Sequence, residues 1–317
     1  MFSIIIPLYN KESSIAKTLT SVLNQTFKEF EVLVIDDGSK DQSLSRVQTF
    51  SDYRIKVYSK ANGGVSDARN YGIDRASYNY IAFLDADDGW DNNYLEEMEK
   101  LIAKYPDCGM YNCAYRRVKS NKIYSESPNI PDGIIQEYFK TTLTLNDMIS
   151  WTSATIIKKE VFDSVGKFPV GMVSGEDCYM WSKVAIKYPV AFTQKIMATY
   201  NMMLSDAYLR VAKPDTCQES WYDLYNENDP YLNKFIATKA IENGLRHAWA
   251  GQKKKSKLIE QQFEFVKGFN DKYFNSRLKK LYYLNRLPYF AVKVLLLYKK
   301  LATLHFFEPR LLPVRLC

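Results

Sequence analysis

The sequence predicts an α/β fold, a mainly parallel sheet flanked by helices, with a C-terminal helical extension. Strand-like apolar runs alternate with helical stretches through the first hundred residues. Acid- or glycine-bearing turns close those runs, and strand alternation ends near Leu204. Strand and helix in regular alternation imply right-handed βαβ units and parallel neighbours.

Each element has its own reason. Phe2–Leu8, Phe30–Ile35, Arg54–Ser59 and Tyr80–Leu84 are short and rich in Ile and Val, as strands buried on both faces are. Ser13–Asn24, Gln42–Phe50 and Val65–Ala76 lie between them as helices, and a further helix occupies about Asn92–Lys104. Met110–Val118 and Lys122–Ser125 form a hairpin around Ser120-Asn121. Ser153–Ile157 is a strand followed by a helix from about Lys159; Gly175 opens a helix through Lys187, and Pro189–Tyr200 is strand again. The pattern divides the chain into a catalytic domain over 1–205 and a basic, aromatic-rich helical region over 206–317.

The 317 residues can bury a sizeable core, and 46% apolar content marks a globular chain. A formal charge of +7 hides an asymmetry: Tyr231–Cys317 holds 18 Lys and Arg against 5 Asp and Glu, while residues 1–230 are net acidic. An acidic body with a basic, aromatic tail implies an anionic contact for the tail. Leu287–Phe307 is apolar but interrupted by Pro288, Lys293, Lys299 and Lys300, which suits an amphipathic helix lying in a membrane surface better than a spanning one. The competing reading packs Leu295, Leu296 and Leu297 back on the catalytic domain. Met1-Phe2-Ser3 leads straight into a strand, so no secretory leader is expected. Five scattered cysteines and two histidines form no zinc pattern, and the thiols are expected reduced in a cytosolic setting. No nucleic-acid-binding module is recognisable.

Chemistry concentrates where strands end. Ile81-Ala82-Phe83-Leu84 runs into Asp85-Ala86-Asp87-Asp88, and two carboxylates around a small residue can converge on a hard divalent cation. The competing role is to start and cap the next helix. Pro7-Leu8-Tyr9-Asn10-Lys11-Glu12 closes the first strand, with Tyr9 offering a face for stacking a base. Asp36-Asp37-Gly38-Ser39 closes the second; a carboxylate there can accept from a uracil N3–H, or cap a helix. Asn62-Gly63-Gly64 precedes a helix and exposes N–H groups suited to an anion, without the endings of a P-loop or dinucleotide fingerprint. Gly175-Glu176-Asp177 opens a helix with a carboxylate that can serve as general base on an alcohol, a position also ordinary for a helix start. Trp181, one turn on, either lines that pocket or fills the core.

In this order and spacing the segments resemble the family-2 glycosyltransferases of the GT-A fold, over about the first 200 residues. The resemblance rests on Ser3–Asn10, Asp36–Ser39, Gly64–Asn70, Phe83–Asp88 and Gly175–Asp177. It implies that Pro7, Tyr9 and Glu12 line the nucleoside and Asp37 reads the base, with Arg69 at the rim of the site. It places Asp85 near ribose and metal, Ala86 beside it in the donor site, Asp87 as principal ligand of Mn²⁺ or Mg²⁺, and Asp177 as catalytic base. The donor would be a nucleotide-diphosphate sugar and the anomeric configuration would invert.

The expected function is therefore an inverting, metal-dependent glycosyltransferase using a UDP-sugar, peripheral at the cytoplasmic face of a membrane. Its acceptor would be a saccharide or lipid-linked saccharide in surface-polysaccharide assembly. Two alternatives stand beside it: transfer directly to a polyprenyl phosphate, and a non-catalytic nucleotide-sugar-binding protein docked at a membrane.

Overall fold

The computed structural model describes residues 1–120, 122–127, 129–145, 147–202, 215–269 and 271–305. By contacts the chain forms two units, Met1–Gly171 with Glu176–Met203, and Met172–Gly175 with Leu204–Cys317.

The first unit contains one ten-stranded sheet. Strands β1 (Phe2–Leu8), β2 (Phe30–Asp36), β3 (Ile55–Ser59) and β4 (Tyr80–Phe83) supply its parallel half in the order β3-β2-β1-β4. Helices α1 (Ile15–Leu23), α2 (Ser43–Gln48) and α3 (Val65–Arg75) make the crossovers. Beyond β4 the sheet is mixed. The short β5 (Gly89–Trp90), helix α4 (Tyr94–Lys104), and strands β6 (Met110–Lys119), β7 (Lys122–Glu126) and β8 (Gly133–Ile134) come next in the chain. They are followed by α5 (Tyr138–Leu145), β9 (Thr155–Lys158), α6 (Val161–Val165), α7 (Glu176–Lys187) and β10 (Val190–Asn201). β9 inserts antiparallel between β4 and β6, β10 runs parallel to β6, and β5 closes the edge antiparallel to β10. The hairpin of β6 and β7 forms as expected around Ser120, whose φ is 50°; Asn121 lies outside the described residues.

The core follows from the patterning. β2 is buried along its whole length, and α1 presents Ile15, Leu19 and Val22 at helical spacing to the same cluster. α3 lies close against β1, because a Cβ on Gly72 would sit 2.7 Å from the Ile5 side chain. Trp181 is core: its ring stands 5.9 Å from Phe83 and 5.6 Å from Phe168. Cys108, Cys113, Cys178 and Cys217 are free and buried; Cys317 lies outside the described residues.

The second unit is helical: α8 (Pro230–Trp249), α9 (Lys253–Gln262), α10 (Lys272–Arg286) and α11 (Tyr289–His305). Asp229 caps α8 by accepting from Leu232 N–H at 2.8 Å, and Pro230 takes the first helical position, where its missing N–H costs nothing. α8 is the hub, burying Leu232, Phe235, Ile236 and Ile241 and meeting α9 and α10. Within this unit the segment Met172–Gly175 is tied down by Val173 N–H to Asp215 and Asn243 to the Ser174 carbonyl.

Candidate active site

Strand order places β2 on one side of β1 and β4 on the other, which makes the carboxyl ends of β1 and β4 a topological switch point. The loops leaving β1 and β2 are laced together there. Asn10 Oδ1 accepts from Lys40 N–H at 2.8 Å, Lys11 N–H donates to Ser43 Oγ, and Glu12 exchanges bonds with Asp41 and Gln42. Asn10 adopts φ 51° to make that turn. Pro7 is partly buried, whereas Tyr9 is 39% exposed and Glu12 is exposed.

Asp37 is only 3% exposed and is cradled. Its carboxylate accepts from the Lys60 ammonium at 2.6 Å, Gly63 N–H at 2.9 Å and Gly64 N–H at 2.8 Å. The glycine N–H groups suited to an anion thus already hold one, the protein's own Asp37. Gly64 reaches this geometry at φ +89°, which favours glycine. A carboxylate has about four acceptor positions, so one remains open on Asp37.

The acids after β4 are treated differently. Asp87 Oδ2 lies 2.7 Å from the Lys11 ammonium, and Asp85 Oδ1 lies 2.9 Å from Arg69. Asp88 is buried among Ser153 Oγ at 2.6 Å, Trp151 Nε1 and Asn201 N–H at 2.9 Å. Burial pushes the Asp87 carboxyl above the ordinary range, Lys11 pulls it back, and Asp85 adds to the rise. For Asp88, burial, then Asp87, then Asp85 drive it well above that range. Ala86 is buried between them, its carbonyl accepting from Thr18 Oγ1. A cavity of about 290 Å³ opens beside this cluster, lined by Ser13, Lys17, Thr18, Asp87 and Asn201 among others.

Arg69, expected at the rim, is 2% exposed and lies beneath the site. It bridges Asp85 to Glu176 at 3.2 Å. Burial disfavours its charge, but Asp85, Glu176 and Asp177 outweigh that and raise its pKa. The reason is its register: Ser66, Arg69 and Ile73 share the inward face of α3. Asp177, at the start of α7, is partly exposed; it accepts from Cys178 N–H and, weakly at 3.4 Å, from Thr152 Oγ1. Arg69 thereby connects the strand-end acids to the helix carrying Asp177.

Among the described residues no three His, Cys, Asp or Glu side chains gather to form a metal cage. A Mg²⁺- or Mn²⁺-type ion completed by phosphate oxygens does not need one. Asp87 fits such an ion, because its Oδ2 already faces a positive charge in Lys11, with Asp85 two residues away. Lys11, Glu176 and Asp88 were missed by sequence reasoning as contributors; only the crowding of three acids signalled that one of them must be buried.

A family model, glycosyl transferase family 2, matches residues 3–166. An uncharacterized glycosyltransferase of Rickettsia felis is 30% identical over 240 residues, covering 74% of this chain but 38% of that protein, so the chain spans little more than a third of its length. The Escherichia coli UDP-Glc:alpha-D-GlcNAc-diphosphoundecaprenol beta-1,3-glucosyltransferase WfgD is 40% identical over 124 residues, 39% of this chain and 49% of WfgD. In structure, S. aureus TarS 1–349 in complex with UDP-GlcNAc superposes with a TM-score of 0.56 at 21% identity, over 76% of this chain and 66% of that fragment. The mannosyltransferase PcManGT from Pyrobaculum calidifontis, in complex with GDP-Man and Mn²⁺, gives 0.56 at 16% identity, over 94% and 87%. The fold is thus of the GT-A type. With more than half of its residues under the family match, this chain belongs to glycosyltransferase family 2.

Proposed function

We propose that this glycosyltransferase is inverting and divalent-metal-dependent, and moves a sugar from a UDP-sugar to a hydroxyl of a saccharide or lipid-linked saccharide acceptor. The reading places the catalytic domain in the first unit, and the enzyme at the cytoplasmic face of the cell membrane as a peripheral protein in surface-polysaccharide assembly. The carrying observation is the acid cluster at the β1/β4 switch point, where Asp87 already faces a cation. UDP as carrier and a diphosphoundecaprenol-linked acceptor are both supported by WfgD, whose name specifies them.

The residues divide the work. Tyr9 stacks on the base, flanked by Pro7 and Glu12, and the open acceptor position of Asp37 takes the uracil N3–H. Asp87, assisted by Asp85, would hold Mn²⁺ or Mg²⁺, which when bound would neutralise charge on the departing diphosphate, with Ala86 beside them in the donor site. Asp177 takes the proton of the acceptor hydroxyl as its oxygen attacks the anomeric carbon. The bond to the diphosphate oxygen breaks on the opposite face, its electron pair leaving with the diphosphate, and configuration inverts without an enzyme-bound sugar. Arg69 does not touch substrate in this scheme; it fixes Asp85 and Glu176.

Calorimetry of UDP, GDP and dTDP with and without Mn²⁺, on wild type and Asp87→Asn, tests the reading. UDP binding that requires metal and is weakened by the substitution is expected. No nucleotide binding under any condition would overturn it.

A further inference from the structure

Helix α11 is oriented against the ordinary rule for a surface helix. Val292 is fully buried, whereas Phe290, Val294 and Leu297 are 71%, 61% and 59% exposed. Their spacing of four and three residues puts these three side chains together on the outward face of the helix. Tyr289 and Tyr283 are also exposed, and Lys293 borders the stripe with its ammonium over the Tyr289 ring. Contiguous apolar side chains left in water on a basic surface mark an interaction face. The chemistry of the surroundings selects the partner. From Lys272 to His305 the sequence holds eight Lys and Arg and not one Asp or Glu.

We infer that the α11 stripe docks the second unit on a bilayer rich in anionic headgroups, with Phe290, Val294 and Leu297 entering the acyl boundary and the lysines contacting headgroup phosphates. Among the described residues no helix is long and apolar enough to cross a membrane, so the helix lies on the surface rather than spanning it. A second copy is disfavoured as occupant, because pairing the stripes would set two basic, acid-free segments against each other. The inference rests on the proposed lipid-linked acceptor for its purpose: the stripe would hold the enzyme where such an acceptor resides.

Flotation of the full chain tests it, with vesicles of phosphatidylcholine alone or mixed with phosphatidylglycerol, at low and high salt. The wild type should float with phosphatidylglycerol vesicles, bind phosphatidylcholine far less, and be released by salt. Phe290→Glu with Leu297→Glu should reduce flotation roughly tenfold while leaving the melting temperature unchanged, since both side chains are exposed. Equal flotation of variant and wild type would overturn the inference, as would a wild type that ignores anionic vesicles. A wild-type dimer in light scattering that the double substitution turns into monomers, without vesicle binding, would give the face to a second copy. UDP binding measured on the same preparations separates the two proposals: its loss with flotation intact would sink the transferase reading alone.

Discussion

Asp37 follows β2 and Asp87 follows β4, and the fold provides for them in opposite ways. Asp37 accepts from an ammonium and two backbone N–H groups and is almost sealed. Asp87 faces Lys11 with two further acids within three residues, and burial lifts its carboxyl. A carboxylate held by three donors is a fixed part of the scaffold with one directed bond to spare. An under-compensated one is a place for a cation to arrive. Asp177 belongs with the second kind, since among the described residues its oxygens accept from a neighbouring N–H and, at 3.4 Å, from Thr152 Oγ1. The difference separates groups that shape the pocket from groups that do its chemistry.

The contrast can be broken most forcefully at Asp177. Replacing it with Asn removes the proton acceptor while keeping its size, so turnover with a UDP-sugar should fall about 10²- to 10⁴-fold. UDP affinity should stay within about twofold, as no nucleotide contact is assigned to this residue. Turnover near the wild-type rate would place the base elsewhere. Next in size is Arg69→Met. It strands Asp85 and Glu176 beside each other without their shared guanidinium. Removing one partner of a buried pair costs about 3–5 kcal/mol. Urea unfolding showing a loss below about 1 kcal/mol would mean that Arg69 is not the brace described.

How far the sequence reached follows the same division. The parallel half was legible because β1, β2 and β4 are mostly apolar runs, with acids closing β2 and β4, a purely local signal. β9 entering antiparallel was not, since its partners β4 and β6 are distant in sequence and no local pattern names them. In the site, the types and order of Tyr9, Asp37, Asp85, Asp87 and Asp177 could be read directly. Their partners could not: Lys11 meets Asp87 across 76 residues and Asn201 meets Asp88 across 113. The resemblance puts Arg69 at the rim, yet its place with Ser66 and Ile73 on α3 carries a signal for burial. The α11 stripe was half legible: its amphipathic character could be read, but which face pointed outward needed the burial of Val292.

Asp37→Asn and Asp87→Asn compare the two carboxylates directly. The first weakens bonds from Lys60, Gly63 and Gly64, and should lower stability by about 1–3 kcal/mol. The second relieves crowding among like charges and should leave metal-free stability unchanged or raised, while weakening metal-dependent UDP binding. Equal losses in urea unfolding would erase the distinction. Lys11→Met sharpens it from the other side. Without the ammonium on its Oδ2, Asp87 should bind Mn²⁺ in the nucleotide-free protein roughly two- to fivefold more tightly, the equivalent of a partly buried ion pair of about 0.5–1 kcal/mol. Unchanged Mn²⁺ affinity by calorimetry would show that Lys11 and the metal do not compete.

The smallest effect belongs to Glu31 on β2, a carboxylate the fold satisfies more fully than Asp37. It accepts from Ser3 Oγ at 2.7 Å, Ser77 N–H at 2.6 Å and Lys56 Nζ at 2.8 Å. Burial alone would raise its carboxyl, but Lys56, Ser3 and Ser77 outweigh it and hold it below its ordinary value of 4.5. A depressed folded value means that the ionised form favours the native state, so its contribution is complete above about 4.5 and lost as pH falls through the folded value. Glu31→Gln should therefore melt below wild type at pH 7, and the gap should narrow as pH drops beneath 4.5. A gap that stays constant with pH would show that Glu31 stabilises β2 through packing and neutral hydrogen bonds, and so does not belong with Asp37 as a carboxylate held by its charge.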